Sequence, residues 1–386
     1  MKFIPYSCQE ITEGDLQTVR SVLQSDFLTQ GPEIEKFERL VAGAHNCNYA
    51  IAVCNATAAL HIACMALELG SGDLMWTSPN SFVASANCGR YCGADVDFVD
   101  IDPITRNMSL VALKAKLESA AIKGRLPKLI IPVDFSGLPC DLFEFRALAD
   151  QYGFKIVSDS SHAVGATYKG MPIGNLADIT VFSFHPVKII TTGEGGLCLT
   201  NDEALAKRLG FFRTHGITRD PTEMGDAFDG PWSYGQMCLG YNYRLTDIQA
   251  ALGSSQLARL PIRQAKREHL ARRYDQLLSD LPLKLPVSLD DRTSAHHLYV
   301  VEIEKNPARV NRRFVFDKLH DNGIGANVHY MPIHLQPYYQ TFGFKRGDFP
   351  ASEAYYDNAI TIPLFPTMTE LQQNHVASIL TSALSL

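Results

Sequence analysis

Apolar and polar positions alternate in blocks of two kinds along the first 200 residues. Short apolar runs, which are typical of buried strands, alternate with longer segments in which apolar residues recur at a helical period. The segment "TAALHIACMALELG", for example, places Leu60, Ala63, Cys64 and Leu67 on one helical face. This alternation predicts a mainly parallel β-sheet covered by helices on both faces. The predicted strands are "YAIAVC" (Tyr49–Cys54), "VDFVDI" (Val96–Ile101), "KLIIPVDF" (Lys128–Phe135), "KIVSD" (Lys155–Asp159) and "ITVFSF" (Ile179–Phe184).

The pattern changes in the last third of the chain. A chain of 386 residues exceeds what one hydrophobic core ordinarily supports. After the amphipathic stretch "TDIQAALGSSQLARL" comes a basic helix, "RQAKREHLARRYDQLLSD", whose charges we expect to face solvent. From about Leu283 a few strands and helices follow, among them "HHLYVVEIE". We therefore expect a large α/β domain over residues 1–255 and a smaller C-terminal α+β domain over residues 256–386.

Composition and charge narrow the classes of function. The formal net charge is −6 and no long basic run occurs, which argues against a nucleic acid as partner. The apolar runs have strand length only, so we expect no membrane span, and the polar N-terminal stretch predicts no signal peptide. Nine cysteines without CxxC spacing predict reduced core thiols in a cytoplasmic protein. Cys88 and Cys92 could share a helix face, but no histidine cluster accompanies them, so we expect no metal site.

Two turns that follow predicted strands carry possible ligand-binding residues. In "CNATAALH", Asn55, Ala56 and Thr57 lie where a strand gives way to a helix, and the unpaired amides there attract an anion such as phosphate. The same residues also suit a plain N-cap. In "VSDSSHAVGA", Asp159 ends a strand, where a buried carboxylate requires a partner such as a protonated ring nitrogen. His162 fits either contact with the same ligand or an ordinary core histidine.

Later stretches add an amine and further polar groups. In "FSFHPVKIITTGEGG", Lys188 can act as an amine nucleophile and Ser183 can bind phosphate, although a lysine at a strand end is ordinarily solvated. In "GYNYRLTDIQAALG", Asn242 and Arg244 precede a helix and suit either ligand binding or capping. Phe82 in "TSPNSFVASAN" suits either stacking on an aromatic ligand or core packing.

Taken together, these groups match the requirements of pyridoxal phosphate. A lysine forms a Schiff base with the aldehyde, an aspartate keeps the pyridine nitrogen protonated, and the ring then accepts the electrons of a Cα carbanion. Two phosphate-binding turns complete the set. A nicotinamide dehydrogenase is less compatible, because no GxGxxG follows a predicted strand.

With these motifs the chain resembles the DegT/DnrJ/EryC1/StrS family of sugar aminotransferases, which have the type I (aspartate aminotransferase-like) fold of pyridoxal phosphate enzymes. The resemblance covers nearly the whole chain, and its signatures are "NATAALH", "TSPNSFVASAN", "SDSSHAVGA", "SFHPVKIITTGEGG", "LGYNYRLTDIQAALG" and "VHYMPIHLQPYY". It implies a Schiff base at Lys188, pairing of Asp159 with the pyridine nitrogen, and His162 near the ring hydroxyl. It also implies that the ring and phosphate contacts come from Phe82, Ala56, Thr57, Ser183 and, from the neighbouring subunit, Asn242.

The resemblance further implies substrates and assembly. "SDSSHA" and the C-terminal motif are most similar to the pseudaminic acid branch of the family. That branch moves the amino group of L-glutamate, by way of pyridoxamine phosphate, to C4 of a UDP-linked 4-keto-6-deoxy-N-acetylhexosamine. Members are homodimers with shared active sites. The segments that approach the nucleotide-sugar correspond here to Tyr6, Asp26, Phe27, Leu28, Thr29, Val328, His329 and Tyr330.

Several alternatives stay open at this level. Arg213 and Arg244 are both candidates for binding the glutamate carboxylate. The sugar could be another 4-keto or 3-keto sugar linked to dTDP or GDP, and the chemistry could be that of a lyase or a sugar dehydratase. The retained Lys188 argues against a dehydratase, because such relatives have histidine there, and it argues against a purely binding protein. The chain also has Ser160 and Ser161 where many members have an alanine pair.

Overall fold

The computed structural model describes residues 3–304 and 311–384, and it contains a large and a small β-sheet with helices around both. The helices are α1 (Glu13–Leu23), α2 (Pro32–Ala44), α3 (Ala56–Ala66), α4 (Ala84–Tyr91), α5 (Leu110–Ile122), α6 (Leu142–Tyr152), α7 (Glu203–Arg213), α8 (Pro221–Met224), α9 (Asp247–Leu257), α10 (Leu260–Leu278), α11 (Arg312–Asp321), α12 (Pro337–Gln340), α13 (Pro350–Asn358) and α14 (Glu370–Leu384). The strands are β1 (Tyr49–Val53), β2 (Leu74–Thr77), β3 (Asp95–Phe98), β4 (Leu129–Ile131), β5 (Lys155–Asp159), β6 (Thr167–Tyr168), β7 (Met171–Pro172), β8 (Ile179–Ser183), β9 (Gly196–Thr200), β10 (Ile217–Thr218), β11 (Gly235–Gln236), β12 (Leu283–Lys284), β13 (Arg292–Thr293), β14 (Tyr299–Ile303) and β15 (Ala359–Ile362).

The large sheet has seven strands in the order β1-β9-β8-β5-β4-β2-β3. Strands β8, β5, β4, β2 and β3 form consecutive parallel pairs, whereas β9 is antiparallel to both of its neighbours. The predicted mainly parallel sheet is therefore confirmed, and the five predicted strands all belong to it. Strands β2 and β9 were not predicted. Strand β4 is shorter than predicted because Pro132, which has no N–H to donate, follows its last residue, Ile131.

Successive residues of the central strands point to opposite faces of this sheet. Ile130 of β4 and Ile156 of β5 pack into one core, which also contains Phe145 of α6. Their neighbours Ile131 and Val157 pack into a second core, together with the alanine-rich face of α3. Burial on both faces explains why these strands are largely apolar runs.

A third core lies around the small antiparallel sheet β12-β14-β15. Helices α11 and α14 cover this sheet with residues such as Leu319 and Leu380. The N-terminal Ile4 packs into the same core and pairs with Ile324. Helix α10 connects the cores, since its Leu260 packs against the large sheet and its Leu270 against the small one. The division into residues 1–255 and 256–386 stays a prediction.

The expectation that the charges of α10 face solvent is wrong for two of its arginines. Arg263 and Arg267 are buried. Arg263 donates to the Glu10 carbonyl oxygen at 2.7 Å, and Arg267 donates to the carbonyl oxygens of His296 at 3.1 Å and Leu364 at 3.2 Å. These partners are far away in sequence, so the local charge pattern could not indicate them.

Two observations bear on the location of the protein. The described ranges, which omit residues 305–310, contain no helix with both the length and the apolar character needed to cross a membrane. The nine cysteines are free thiols, with Cys88 buried and Cys92 partly buried.

Candidate active site

One cavity opens where the central strands of the large sheet end. Its volume is about 780 Å³, and it is bordered by the carboxyl ends of β5 and β8 and by the beginning of α3. Ligands of open α/β sheets bind at this edge. The cavity thus collects residues from every part of the chain. The predicted site residues that line it are Tyr6, Ala56, Thr57, Phe82, Asp159, His162, Ser183, Lys188, His329 and Tyr330.

The beginning of α3 forms one wall. Asn55 caps the helix, and its side-chain oxygen accepts a hydrogen bond from the Ala58 amide at 2.8 Å. The first intrahelical bond runs from the Ala59 amide to the Asn55 carbonyl. The amides of Ala56 and Thr57 therefore have no partner within the helix, and together with the helix dipole they favour an anion. Capping and anion binding thus occur in the same turn.

The adjacent strand approaches this turn so closely that only glycine fits. Gly196 begins β9, and a Cβ atom on it would lie 2.4 Å from the Asn55 carbonyl carbon and 2.5 Å from the Ala56 nitrogen. Gly196, the last glycine of "TTGEGG", therefore allows β9 to pack directly against the first residues of α3.

The Asp159 carboxylate has a fixed orientation beside the cavity. The residue is buried, its Oδ2 accepts a hydrogen bond from Ser85 Oγ at 2.6 Å, and its Oδ1 accepts one from the Ser161 amide at 3.2 Å. Ser85 Oγ is in turn 2.6 Å from Ser81 Oγ. A buried carboxylate held by neutral donors is suited to stabilise a positive charge in the adjacent cavity.

Lys188 also lines the cavity and is partly buried. Burial lowers the pKa of its amine to about 8, although the Asp159 carboxylate acts in the other direction. The hydroxyl of Ser7 donates to the carbonyl oxygen of Val187 at 3.0 Å, which ties the N-terminal segment to the backbone before the lysine. An amine that loses its proton near neutral pH is suited to act as a nucleophile and a base.

His162 is held as a neutral ring. Its Nδ1 accepts a hydrogen bond from the Ser136 amide at 3.2 Å, which leaves the proton on Nε2, 3.4 Å from the Tyr330 hydroxyl. Burial, followed by the nearby Lys188 charge, lowers the pKa of His162 well below its ordinary value. The ring therefore contacts the cavity as a hydrogen-bond donor without a charge.

Aromatic residues cover the outer part of the cavity. The Tyr6 and His329 rings are 5.5 Å apart, and the Phe82 and Tyr330 rings are 6.4 Å apart. Phe82 is 58% exposed, so core packing does not account for it. Its face is available to a planar ligand, and stacking on that ligand stays a prediction.

Other predicted residues do not line the cavity of their own protomer. Asn242 and the Asp26–Thr29 segment are exposed, and Val328 lies next to the cavity wall without contributing to it. Arg213 donates to the Glu38 carboxylate at 2.5 Å, and together with Arg244 it lines a separate groove of about 200 Å³. Among the described residues, no arginine lines the cavity.

Several residues in or next to the cavity were not given a role from the sequence. The hydroxyl of Ser85 could have been found only by asking which residue 74 positions away meets Asp159. His61 and Tyr243 lie in one wall, with His61 Nδ1 3.2 Å from the Tyr243 hydroxyl. His185 and Glu194 flank Lys188 in its own motif, and that proximity was the available signal.

This donor set fits pyridoxal phosphate. The amides at the beginning of α3 suit its phosphate, the fixed carboxylate of Asp159 suits a protonated pyridine nitrogen, and the Lys188 amine suits its aldehyde. The three features come from distant parts of the chain and converge on one cavity at the edge of the sheet where the central strands have their carboxyl ends. Fold and site together define a pyridoxal phosphate-dependent aminotransferase of fold type I.

Comparison with known proteins gives the family. Residues 9–381 match the DegT/DnrJ/EryC1/StrS aminotransferase family, and the chain belongs to this family. It is accordingly a pyridoxal phosphate-dependent sugar aminotransferase.

Individual relatives agree with this assignment over nearly their full lengths. The chain is 38% identical over 371 residues to the spore coat polysaccharide biosynthesis protein SpsC of Bacillus subtilis, covering 95% of this chain and 94% of the relative. It superposes with a TM-score of 0.91 and 30% identity on Helicobacter pylori PseC, an aminotransferase involved in the biosynthesis of pseudoaminic acid, over the whole of both chains. The putative sugar aminotransferase Spr1654 of Streptococcus pneumoniae, in its PMP form, superposes with a TM-score of 0.90 and 29% identity over 99% of both chains.

Proposed function

We propose that the protein transfers the amino group of L-glutamate to C4 of a UDP-linked 4-keto-6-deoxy-N-acetylhexosamine, in a pathway of the pseudaminic acid type. The observation that carries the proposal is the convergence of Lys188, Asp159 and the beginning of α3 on one cavity. The full-length similarity to PseC supports this sugar class. An aminotransferase for another keto sugar linked to dTDP or GDP is the alternative, since SpsC also belongs to a polysaccharide pathway.

Lys188 is the residue that moves protons. When bound, pyridoxal phosphate supplies an electron sink for the charge that develops at the Cα of the amino donor. In each half-reaction the Lys188 amine would take up one proton and give it back, removing it from the Cα of glutamate in the first and delivering it to C4 of the sugar in the second. Its pKa of about 8 lets it hold and release a proton near neutral pH. Because the Lys188 amine is held beside the reacting carbons, its proximity supplies much of the rate.

Asp159 and α3 bind and orient without exchanging protons. The Asp159 carboxylate, held by Ser85 and Ser161, keeps the ring nitrogen positively charged. The amides of Ala56 and Thr57, with Ser183 across the cavity, bind the phosphate. His162 would donate from Nε2 to the hydroxyl of the cofactor, and Phe82 would stack on its ring.

The proposed assembly is a homodimer with shared active sites. The phosphate of the cofactor and the two carboxylates of glutamate require cations, yet within the described residues this cavity has Lys188 and no arginine. A partner subunit that supplies Asn242, and a cation such as Arg244, would complete the site. We also propose that the exposed Asp26–Thr29 segment reaches the nucleotide-sugar, and that Tyr6 and the Val328–Tyr330 segment contact it from within the cavity. Free cysteine thiols support a cytoplasmic location.

The substrate is tested with a panel of nucleotide sugars. The purified protein is incubated with L-glutamate and UDP-, dTDP- or GDP-linked 4-keto sugars, and the products are assigned by NMR. We expect a 4-amino sugar from the UDP-linked N-acetylhexosamine, with one 2-oxoglutarate released for each amino group transferred. A product from the dTDP- or GDP-linked sugar alone would replace the substrate assignment, and a deoxygenated sugar would show a dehydratase.

The role of Lys188 is tested by Lys188→Ala. We expect 2-oxoglutarate release to fall by about 10²- to 10⁴-fold or more, because no other lysine lines the described cavity. Lys114→Ala, on the exposed side of α5, is the matched control and should keep full activity. Turnover by Lys188→Ala at the rate of the control would contradict the mechanism.

A further inference from the structure

A short turn connects the two groups that are assigned to the ring. This turn, residues 134–137, is called the brace below. The Asp134 amide donates to the Asp159 carbonyl oxygen at 3.1 Å, and the Ser136 amide donates to His162 Nδ1 at 3.2 Å. A Cβ atom on Gly137 would lie 2.9 Å from the His162 carbonyl oxygen. The brace therefore packs directly against the Asp159–His162 segment.

The brace contains a buried carboxylate. Asp134 is fully buried, its Oδ1 accepts a hydrogen bond from the Cys140 amide at 2.8 Å, and its Oδ2 accepts one from Ser160 Oγ at 2.6 Å. Both oxygens accept hydrogen bonds, as those of a carboxylate do, and burial raises the pKa of Asp134 to about 6 against the effect of these two donors. The described residues place no lysine or arginine in an ion pair with it. A buried charge without a cationic partner is costly, so it needs a compensating positive charge.

The position of Asp134 suggests where that positive charge is. The neighbouring Asp159 carboxylate is near enough to affect the pKa of Asp134. Two adjacent carboxylates repel each other unless a cation lies beside them. The group that Asp159 is assigned to bind, a protonated ring nitrogen, is such a cation.

We propose that Asp134 is a positioning residue for the cofactor, which fixes Asp159 through the brace and through Ser160 and adds a second negative charge behind the ring nitrogen. This inference rests on the assignment of Asp159 to the ring nitrogen made under the proposed function. It also gives a role to Ser160, at which many members of the family have alanine. Ser160 directly follows Asp159, and its hydroxyl donates to the carboxylate of Asp134.

Two substitutions separate the effect of the Asp134 charge from the effect of its hydrogen bond with Ser160. Asp134→Asn removes the charge and can keep both hydrogen bonds, because the Ser160 hydroxyl can accept as well as donate. Ser160→Ala keeps the charge and removes one hydrogen bond. Asp178→Asn is a control outside the cavity, because Asp178 likewise accepts from a backbone amide, that of Ile156 at 2.8 Å, although it also pairs with Arg146 at 2.8 Å.

The measurement is binding of pyridoxal phosphate to each apoprotein, followed by absorbance, together with the Tm of each apoprotein. We expect the Kd of Asp134→Asn to rise roughly tenfold and that of Ser160→Ala to rise less, with apo Tm values no lower than that of the control. An unchanged Kd for Asp134→Asn would overturn the inference. So would a raised Kd accompanied by a larger fall in apo Tm than the control shows, because that pattern describes a structural role.

Asp159→Asn, measured in the same way, separates this inference from the proposed function. If Asp159→Asn weakens binding and Asp134→Asn does not, only the role of Asp134 is refuted. If neither variant weakens binding, the assignment of Asp159 to the ring nitrogen fails first, and the role of Asp134 fails with it.

Discussion

At the scale of single residues, one position without a side chain determines the shape of the anion-binding turn. Gly196 leaves room for the Asn55–Ala56 peptide to lie against β9, since any Cβ atom there would be within 2.6 Å of three backbone atoms. Backbone atoms cannot rotate away as a flexible side chain can. The amides of Ala56 and Thr57 therefore depend on this glycine for their position.

We predict that Gly196→Ala lowers the affinity for pyridoxal phosphate by about tenfold or more, because β9 and the first turn of α3 must separate and the amides lose their alignment. Absorbance titration of the apoprotein measures the effect. Gly210→Ala is the control, since Gly210 lies in α7 with nothing within 4 Å of the added Cβ atom, and it should bind as the native protein does. Equal affinities for the two variants would refute the prediction.

The sequence predicts those site residues whose chemistry follows from their place at a strand end. Asp159, at the end of β5, is of this kind, whereas Lys188 lies in the turn five residues after β8 and was recognised from its motif; both line the cavity. It does not predict residues that meet only through the fold, such as Ser85, which reaches Asp159 across 74 positions. The sequence likewise does not reveal that Arg213, a candidate for binding a carboxylate of glutamate, pairs with Glu38, 175 positions away. Asn242 has a recognisable motif, but it is exposed and does not line the cavity, so its role stays a prediction.

At the scale of elements, the first turn of α9 holds the segment that is proposed to reach the sugar. Asp247 is buried, and its two carboxylate oxygens accept from the amides of Gly31 at 2.8 Å and Glu33 at 2.9 Å. Its own amide donates to the Leu28 carbonyl oxygen at 3.0 Å. One side chain thus fixes the beginning of α2 and the end of the Asp26–Thr29 segment together.

We predict that Asp247→Asn lowers the free energy of unfolding by about 1–3 kcal/mol, because asparagine supplies one acceptor oxygen where two charged ones are used. Denaturant unfolding measures the change. Asp202→Asn is the control, because Asp202 is an exposed N-cap of α7 and asparagine caps a helix about as well. A loss in Asp247→Asn no larger than in this control would show that the two hydrogen bonds of the Asp247 carboxylate are not needed for stability. A raised KM for the nucleotide-sugar alone would further support a role of the held segment in substrate binding.

The elements themselves were predictable where periodicity is strong. The five predicted strands are present, and the helical-period segment "TAALHIACMALELG" contributes most of α3. Strand β2, "LMWT", has four residues, and β9, "GLCLT", follows directly on a glycine-rich turn, so neither forms a distinct apolar run. The antiparallel direction of β9 is likewise set by its partners β1 and β8 and leaves no local mark in the sequence.

At the scale of the whole molecule, several histidines with lowered pKa values make the stability of the fold depend on pH. Burial lowers the pKa of His45 and His296 to about 4 and that of His329 to about 3. The pKa values of His162 and His297 are also lowered well below the ordinary one by burial, next to the Lys188 charge. These rings occupy the large-sheet core, the cavity and the region between the sheets, so protonation acts on the entire fold.

We therefore predict that the apoprotein loses stability as the pH falls from 7 to 5. A histidine whose pKa is lower in the folded state contributes stability above the unfolded value of about 6.5, and this contribution is lost toward the folded value. Asp134 and Glu38, whose pKa values burial raises, act in the opposite direction, but they are fewer than the histidines. Denaturant unfolding at pH 7 and pH 5 measures the loss.

The variant His45→Gln removes one of these histidines, whose Nδ1 lies 2.5 Å from the Ile173 carbonyl oxygen. The free energy of unfolding of this variant should therefore fall by about 2 kcal/mol less over this interval than that of the native chain. An equal fall in both proteins would place the pH dependence elsewhere than in His45, and a flat profile in the native chain would refute the prediction as a whole.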